Sequence, residues 1–190
     1  IVACELGNLV SGKTKVDILI TPTVTILSGF AVSWLLSPAI AYIMYYLGVF
    51  INTATEYQPI LMGIVISVVI GMILTLPISS AAICAMIGIS GLAGGAAAVG
   101  CCAQMVGFAV MSFKENKWDG LVSQGLGTSM LQMGNICRNP RIWIPPTLAA
   151  AIIGPLSTTL FKLECNGVSA GMGTCGLVGP IGVISATEHS

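Results

Sequence analysis

The feature that most constrains this sequence is a long apolar run, from Val24 to Ile51, that contains no Asp, Glu, Lys or Arg. A helix needs about 20 apolar residues to cross the roughly 30 Å of hydrocarbon in a bilayer. Hydrophobic residues are 55% of the chain and charged residues only 7%, whereas soluble domains have about 25% charged residues. We therefore predict an integral membrane protein, which excludes a disordered chain, a nucleic-acid binder and an ordinary cytosolic enzyme.

Later apolar runs predict further helices, separated by polar or Gly-rich breaks. These runs are Ile60 to Leu76, Ile78 to Phe113, Ile142 to Phe161 and the short stretch Gly171 to Ala186. Basic residues favour the cytoplasmic side, and on that assignment Lys117 to Asn135 begins and ends inside, so we interpret it as a re-entrant hairpin. The predicted fold class is all-α: a polytopic transmembrane protein with broken helices and re-entrant hairpins, typical of a transporter core.

Small residues recur at helical spacing in two of these runs. Gly29, Ser33 and Ser37 share one helix face, and Gly63, Ser67 and Gly71 share another, which predicts close helix–helix packing. The seven cysteines form neither a CxxC pair nor a Cys/His cluster, so we interpret them mainly as small buried hydrophobic residues and expect no metal.

Two nucleotide-binding patterns occur, and their contexts argue against both. Gly7 to Thr14 fits a phosphate-binding loop, but only six residues separate it from Thr21-Pro22, which leaves no room for the helix that such a loop needs. Gly171-x-Gly173-x-x-Gly176 fits a dinucleotide fingerprint but lacks the preceding strand. The only histidine is His189, so no nucleophile–base pair is indicated. We expect no independent catalytic centre and no cofactor.

Polar residues at membrane depth are the better functional candidates, because burying them is unfavourable unless they are paired or line a wet cavity. Amides both donate and accept hydrogen bonds, which suits sugar hydroxyls, although amides also join helices structurally. The predicted substrate-binding residues are Asn8, Lys13, Asp17, Gln104, Gln124, Gln132 and Asn135.

Several segments together resemble the type-2 EIIC-like membrane proteins. That family is grouped with the sugar permeases of the phosphotransferase system and includes the perfringolysin-regulator-type proteins. The segments are Gly7 to Asp17, Gly91 to Gly95, Gln104 to Phe108, Ser112 to Lys117, Gln124 to Gln132 and Asn139 to Thr147. The resemblance covers nearly the whole chain.

The resemblance implies a single membrane-embedded IIC-like transport domain over residues 1–190, which we expect to be incomplete at one or both ends. It implies the IIC permease subunit of a phosphoenolpyruvate-dependent sugar phosphotransferase system, placed as a multi-pass protein in the bacterial cytoplasmic (inner) membrane. Such a subunit moves a sugar by alternating access, and a separate IIB component phosphorylates it. The implied partners are a small-molecule substrate, the lipid bilayer, IIB and IIA components and a second copy of the chain, without nucleic acid.

Two alternatives remain open at this stage. A secondary transporter of another small polar or anionic solute would use the basic pairs Lys13/Lys15 and Arg138/Arg141 near its mouth, and would need an ion gradient. A membrane sensor that regulates gene expression would bind a ligand without transporting it.

Overall fold

The computed structural model describes residues 17–188, which are helical almost throughout and contain no strand. The α-helices are α1 (Asp17–Tyr57), α2 (Pro59–Thr75), α3 (Ser80–Ile87), α4 (Gly91–Val122), α5 (Met133–Arg138), α6 (Ile144–Thr159), α7 (Gly167–Ala170) and α8 (Val178–Thr187). A π-helical segment, Ser123–Gly127, and 3-10 turns at Ser129–Gln132, Pro140–Trp143 and Cys175–Leu177 lie between them. The predicted all-α class with broken helices is confirmed.

The chain divides into two compact units, Ile1–Met44 and Tyr45–Ser190. The described part of the first unit is a stretch of α1, in which the large side chains Phe30, Trp34 and Leu35 are exposed. Pro22 and Pro38 lie inside this helix. The Gly29, Ser33 and Ser37 face belongs to this unit, where no second described helix is present to test its packing.

The second unit is built on three helices, α2, α4 and α6, which pack against one another. Their contact surface consists of small residues, so the backbones approach closely. A Cβ added at Gly100 of α4 would overlap the carbonyl oxygen of Ser67 on α2, and one at Gly154 of α6 would overlap the Ser67 side chain. The Ser67 hydroxyl also donates to Ala150 O on α6 (2.8 Å). The packing predicted for the Gly63, Ser67 and Gly71 face is therefore confirmed.

Hydrogen bonds at the helix ends explain the break between α3 and α4. The Ser79 side chain accepts from Ala82 N (3.3 Å) and begins α3, and Gly88, with φ of 70°, ends it in the left-handed conformation that glycine adopts without strain. Asn52 of α1 then donates from Nδ2 to Gly88 O (3.0 Å) and accepts from Ser90 N (3.4 Å). The apolar run Ile78 to Phe113 thus contains one short helix and the start of one long helix.

The polar stretch Lys114 to Asp119 contains a break in the helix, at the residue where the predicted hairpin Lys117 to Asn135 begins. Lys117 has non-helical backbone angles, with φ of 49° and ψ of −134°, so the stretch Gly91–Val122 consists of two helices joined at a kink. The irregular backbone predicted for the hairpin continues from Ser123, with π-helical and 3-10 turns up to Gln132.

The segment after α6 lies against the start of α4 and against α3. A Cβ at Gly94 would overlap the Cys165 carbonyl oxygen, and one at Gly95 would overlap that of Leu163. The Ser80 hydroxyl donates to Gly171 O (2.7 Å). Within the described residues all the cysteines are free: Cys84, Cys101 and Cys165 are buried, Cys102 and Cys175 are half-buried, and Cys137 is exposed.

Two continuous helical stretches are long and apolar enough to cross a membrane. They are Gly91–Gly127, with 37 residues, and Pro140–Thr159, with 20 residues. A third is added if the bent pair Ile20–Leu35 and Ser37–Tyr57 is counted as one span, while Pro59–Thr75 and Cys175–Thr187 are shorter apolar helices.

Candidate functional site

The chain between α4 and α6 changes helix type repeatedly, and side-chain caps hold it in place. After Gly127, the Thr128 backbone is extended and its hydroxyl accepts from Met130 N (3.2 Å), which starts a 3-10 turn. Asn139 does the same for the next turn, because its Oδ1 accepts from Arg141 N (3.3 Å) and Pro140 takes the first helical position. These turns leave space beside the second half of α4.

That space is a cavity of about 350 Å³ between α4, α5 and the turn that follows α5. We name it the polar cavity. Helix α4 contributes a face at i, i+3, i+4 and i+7 spacing, as side chains one turn apart on a helix do. The lining residues are Phe108, Met111, Ser112, Glu115, Gln132, Asn135, Arg138, Asn139 and Ile142.

The residues that line this cavity range from buried to exposed. Phe108 is 1% exposed and Ser112 is 5% exposed, whereas Glu115, Asn135 and Arg138 are exposed at the rim. The Asn135 Nδ2 donates to Gln132 Oε1 (2.8 Å), so the two amides hold one another and keep their remaining donors and acceptors for a ligand.

The polar cavity carries one carboxylate and one guanidinium, so its formal charge is zero. Glu115 and Arg138 both line it, and neither has an ion-pair partner among the described residues. A carboxylate only accepts hydrogen bonds and a guanidinium only donates them, while the amides do both. Such a set matches a neutral ligand with several hydroxyl groups better than it matches an anion.

The structure places the predicted site residues in different environments. Gln132 and Asn135 come together in the polar cavity. Gln104 and Gln124 are buried elsewhere, 0% and 4% exposed, and each has an Oε1 without a hydrogen-bond partner among the described residues. Asn8 and Lys13 lie outside the described residues, and Asp17 is described only as the first residue of α1.

Sequence reasoning missed three polar lining residues, Ser112, Glu115 and Asn139, and named Arg138 only for the alternative transporter of an anion. Ser112 and Glu115 lie on the two sides of the predicted end of the run Ile78 to Phe113, and Asn139 follows Arg138 directly. The spacing of Phe108, Ser112 and Glu115 would have placed all three on one helix face, had α4 been extended into the polar stretch.

No group of three or more His, Cys, Asp or Glu side chains within residues 17–188 is placed to hold a metal ion. The phosphate-loop pattern at Gly7 to Thr14 and the terminal His189 lie outside the described residues. The described part of the chain therefore offers polar groups for binding, and six of them line the polar cavity.

Together, the apolar helices, the irregular helical segment and the polar cavity define a helical membrane protein of the transport class. The whole chain, residues 1–190, matches the family described as "Phosphotransferase system, EIIC". The chain belongs to this family, and it is a membrane protein of the phosphotransferase system with a permease-type function. Neither a search of curated proteins nor one of solved structures found a match.

Proposed function

We propose that this chain is the IIC permease subunit of a phosphoenolpyruvate-dependent sugar phosphotransferase system, acting in the bacterial cytoplasmic membrane as a multi-pass protein. It binds a free sugar and exposes it by alternating access to a separate IIB component, which supplies the phosphoryl group. Residues 1–190 would act as one transport domain. The observation that carries this proposal is the polar cavity, whose amides and balanced charges suit an uncharged polyhydroxyl ligand.

In the proposed binding mode, each kind of side chain has a separate task. Glu115 accepts hydrogen bonds from sugar hydroxyls, Arg138 donates to hydroxyl oxygens, and the Gln132–Asn135 pair does both. The buried Phe108 ring closes the inner end of the cavity and offers an apolar surface to the C–H groups of the sugar. The cavity volume of about 350 Å³ lies within the range of small-molecule sites, roughly 300–1,000 Å³.

One observation favours a second candidate, a transporter of a small anion. Arg138 lines the polar cavity and Arg141 follows three residues later. The two functions make opposite demands on Glu115. A neutral sugar gains a hydrogen-bond acceptor from the Glu115 carboxylate, whereas the same carboxylate repels an anion.

The test is a thermal-shift screen of the full-length protein, followed by calorimetry on single variants. The panel contains glucose, galactose, mannitol and cellobiose, their phosphates, and small inorganic anions. A ligand at 100 times its Kd stabilises the folded state by about 2.7 kcal/mol. For a neutral sugar, Glu115→Gln, Arg138→Gln and Gln132→Met each raise Kd more than about tenfold, since each strands a hydrogen bond of roughly 1–3 kcal/mol.

Matched controls are Glu56→Gln and Arg141→Gln, which change the same charges at exposed positions outside the polar cavity and should leave the Kd for a neutral sugar unchanged. If the protein binds an anion, and Glu115→Gln binds that anion more tightly, the anion transporter would replace the sugar permease as the proposed function. Sugar binding without flux into vesicles would identify a sensor. Sugar binding that is unchanged in all three cavity variants would remove the polar cavity from the proposal.

A further inference from the structure

A second cavity lies between α2 and α6, outside the polar cavity, and we name it the apolar cavity. Its volume is about 270 Å³, and its lining residues are Met72, Trp143, Ile144, Thr147 and Leu148. Apart from the Trp143 indole N–H, the Thr147 hydroxyl is the only polar side-chain group among these residues. That hydroxyl is already engaged, because it donates to Trp143 O (2.6 Å) and accepts from Gln104 Nε2 (3.2 Å). The apolar cavity therefore suits a hydrocarbon group.

The apolar cavity opens to the outside of the helix bundle. Two of its lining residues, Ile144 and Leu148, are 53% and 58% exposed. Both belong to the stretch Pro140–Thr159, which is long and apolar enough to cross a membrane. In a membrane protein the outer surface of such a stretch faces lipid, so the groups that reach the apolar cavity are acyl chains of the bilayer.

Hydrogen bonds fix how α2 and α6 lie beside one another. Near the end of α6, the Thr158 hydroxyl donates to Pro59 O at the start of α2 (2.9 Å). Near the middle of both helices, the Ser67 hydroxyl donates to Ala150 O. The two helices are therefore antiparallel. The apolar cavity is lined by the last turn of α2 and the first two turns of α6, which places it at one end of this pair.

The chain that joins α4 to α6 lies at the same end. The hydroxyl oxygens of Thr75 and Ser129 are 3.2 Å apart, which holds this chain beside the last turn of α2. A Cβ added at Gly107 would lie 3.0 Å from Pro146 Cβ, so α4 passes the start of α6 at this point. The charged side chains that follow on α4 are therefore at the end that holds the apolar cavity.

The two ends of the α2–α6 pair carry net charges of opposite sign. At the end with the apolar cavity, residues 114–141 contain four basic and two acidic side chains, which gives a net charge of +2. At the other end, Glu56 precedes α2, while Lys162 and Glu164 follow α6, which gives −1. Basic residues beside a membrane surface attract anionic lipid headgroups. The end with the apolar cavity is therefore the one that favours them.

Arg141 lies at the edge of the apolar cavity. Its carbonyl oxygen accepts a hydrogen bond from Ile144 N, and its own N–H donates to Asn139 Oδ1 (3.3 Å). These bonds form the 3-10 turn Pro140–Trp143, so the exposed Arg141 side chain begins within one turn of two lining residues. A guanidinium binds phosphate through two parallel hydrogen bonds. A hydrocarbon site and a phosphate donor thus lie one turn apart.

We propose that the apolar cavity binds an acyl chain of an anionic phospholipid, and that Arg141 binds the phosphate of the same lipid. Trp143 lies between these two parts of the site, and tryptophan suits the boundary between hydrocarbon and headgroups because its ring is apolar and its N–H is polar. A zwitterionic lipid such as phosphatidylcholine gains less, because its choline group offsets the phosphate charge. The site is separate from the polar cavity and does not depend on which solute is transported.

The test is the quenching of Trp143 fluorescence by phospholipids with brominated acyl chains, since bromine quenches tryptophan only on close contact. The protein in detergent carries Trp34→Phe and Trp118→Phe, which leaves Trp143 as the one tryptophan of the sequence. Brominated phosphatidylglycerol and brominated phosphatidylcholine are titrated separately, at a few lipid molecules per protein.

Phosphatidylglycerol should quench half-maximally at a concentration about fivefold lower than phosphatidylcholine, the ratio that about 1 kcal/mol per basic residue gives. Arg141→Gln should bring the two concentrations within about twofold of one another. Lys162→Gln is the matched control, because it removes the same charge at the opposite end of the helix pair, and it should keep the fivefold preference.

A second pair of variants tests the apolar cavity itself. Leu148→Gln puts an amide into the lining and should raise the half-maximal concentration of both lipids about fivefold or more. Ile152→Gln puts the same amide one turn further along α6, at an exposed position outside the apolar cavity, and should leave both concentrations unchanged. Melting temperatures within about 3 °C of the parent protein show that a variant has folded; Arg141→Gln carries the test if Leu148→Gln does not fold.

Three results would overturn the assignment. Equal quenching by the two lipids in the parent protein would remove the anionic headgroup, and a preference that persists in Arg141→Gln would remove Arg141 from the site. Quenching that does not saturate, or that is the same in Leu148→Gln and Ile152→Gln, would show that no acyl chain is bound in the apolar cavity. The proposed function stands or falls separately, on sugar binding to the polar cavity.

Discussion

The two halves of helix α4 show how one helix supports a rigid junction and an open cavity at once. From Gly91 to Gly107 the helix is built mainly from glycine and alanine, and residues such as Ala96, Ala97 and Cys101 are 0% exposed. From Phe108 to Val122 it has large and polar side chains, several of them exposed, and Lys117 interrupts the helical backbone angles. The same secondary structure therefore serves two different kinds of packing.

The difference follows from side-chain volume. Where α4 has no side chains beyond Cβ, the backbones of α2 and of the segment Leu163 to Cys165 approach directly, and close packing gives many small dispersion contacts. Where its side chains are long, neighbouring elements stay further away, and the irregular segment Ser123–Gln132 leaves the polar cavity open. A transporter needs a rigid part and an open cavity, because the rigid part must move as a unit around a binding site that opens alternately to the two sides of the membrane.

The largest loss of stability is expected when one methyl group is added in the first half of α4. In Gly100→Ala the new Cβ would overlap the backbone of Ser67, and no flexible side chain can move aside to relieve it. We expect the free energy of unfolding to fall by about 3 kcal/mol, the upper end of the usual effect of overpacking. Denaturant titration of the protein in detergent measures this change.

Gly125→Ala is the control for that experiment, because its Cβ would meet only Ala109 Cβ at 3.5 Å, an ordinary contact distance. It lies at the start of the irregular segment and should change the free energy of unfolding by less than about 1 kcal/mol. Equal losses of unfolding free energy in Gly100→Ala and Gly125→Ala would show that the two regions do not differ in packing.

A second prediction uses two cysteines to compare a packed region with an open one. Burial raises the pKa of the Cys84 thiol from 9.0 to about 11, and the nearby Cys165 thiol adds to this shift. Cys137, on α5 beside the polar cavity, is exposed. In the folded protein at pH 8, a maleimide should therefore modify Cys137 and leave Cys84 unmodified, since the thiolate is the reactive form.

The same shift makes stability depend on pH. Above pH 9 the unfolded chain loses the Cys84 proton while the folded chain keeps it until about pH 11, so folding stability falls as pH rises. At pH 10 the contribution is on the order of 1 kcal/mol, because the unfolded chain has then lost most of this proton and the folded chain has kept it. Unfolding free energies at pH 8 and pH 10 should differ less in Cys84→Ala than in wild type, whereas Cys137→Ala should keep the wild-type difference.

An identical pH dependence in wild type and Cys84→Ala would mean that Cys84 is not shielded from water. Rapid maleimide modification of Cys84 in the folded protein would contradict the packing around α3 directly. In either case the segment from Gly167 to Gly171, which packs against Cys84 and Ser80, would have to open in solution.

Sequence alone was sufficient to predict two of the apolar helices, because the thickness of the bilayer sets the length that an apolar run must have. The run Ile60 to Leu76 corresponds to α2, and Ile142 to Phe161 corresponds to Pro140–Thr159. It also predicted the break at Lys114 to Asp119, where Lys117 has non-helical backbone angles. It did not predict that the helix resumes after Lys117 and continues to Val122.

The sequence predicted only part of the candidate site. Gln132 and Asn135 stood out as amides within a moderately apolar stretch, and the structure places both in the polar cavity. Glu115 was missed and Arg138 was named only for an anion transporter, since a charged residue near other charges gives no sign of a cavity beside it. Their meeting depends on the register of α4 and on the caps at Thr128 and Asn139, which no periodicity in the sequence reveals.

The smallest predicted effect is also the one that sharpens the comparison most. Gly134 lies in α5 between Gln132 and Asn135, and a Cβ added there would meet no atom within 4 Å. Alanine should raise the free energy of unfolding by about 0.5–1 kcal/mol, because it favours the helix and restricts the unfolded chain. The glycine-to-alanine change is thus expected to lower the free energy of unfolding at position 100 and to raise it at position 134.

Sugar binding to Gly134→Ala, measured by calorimetry, should match wild type, since residue 134 does not line the polar cavity. A loss of stability in Gly134→Ala would mean that α5 is as closely packed as the first half of α4, and that the space beside Glu115 is filled when the protein is in solution.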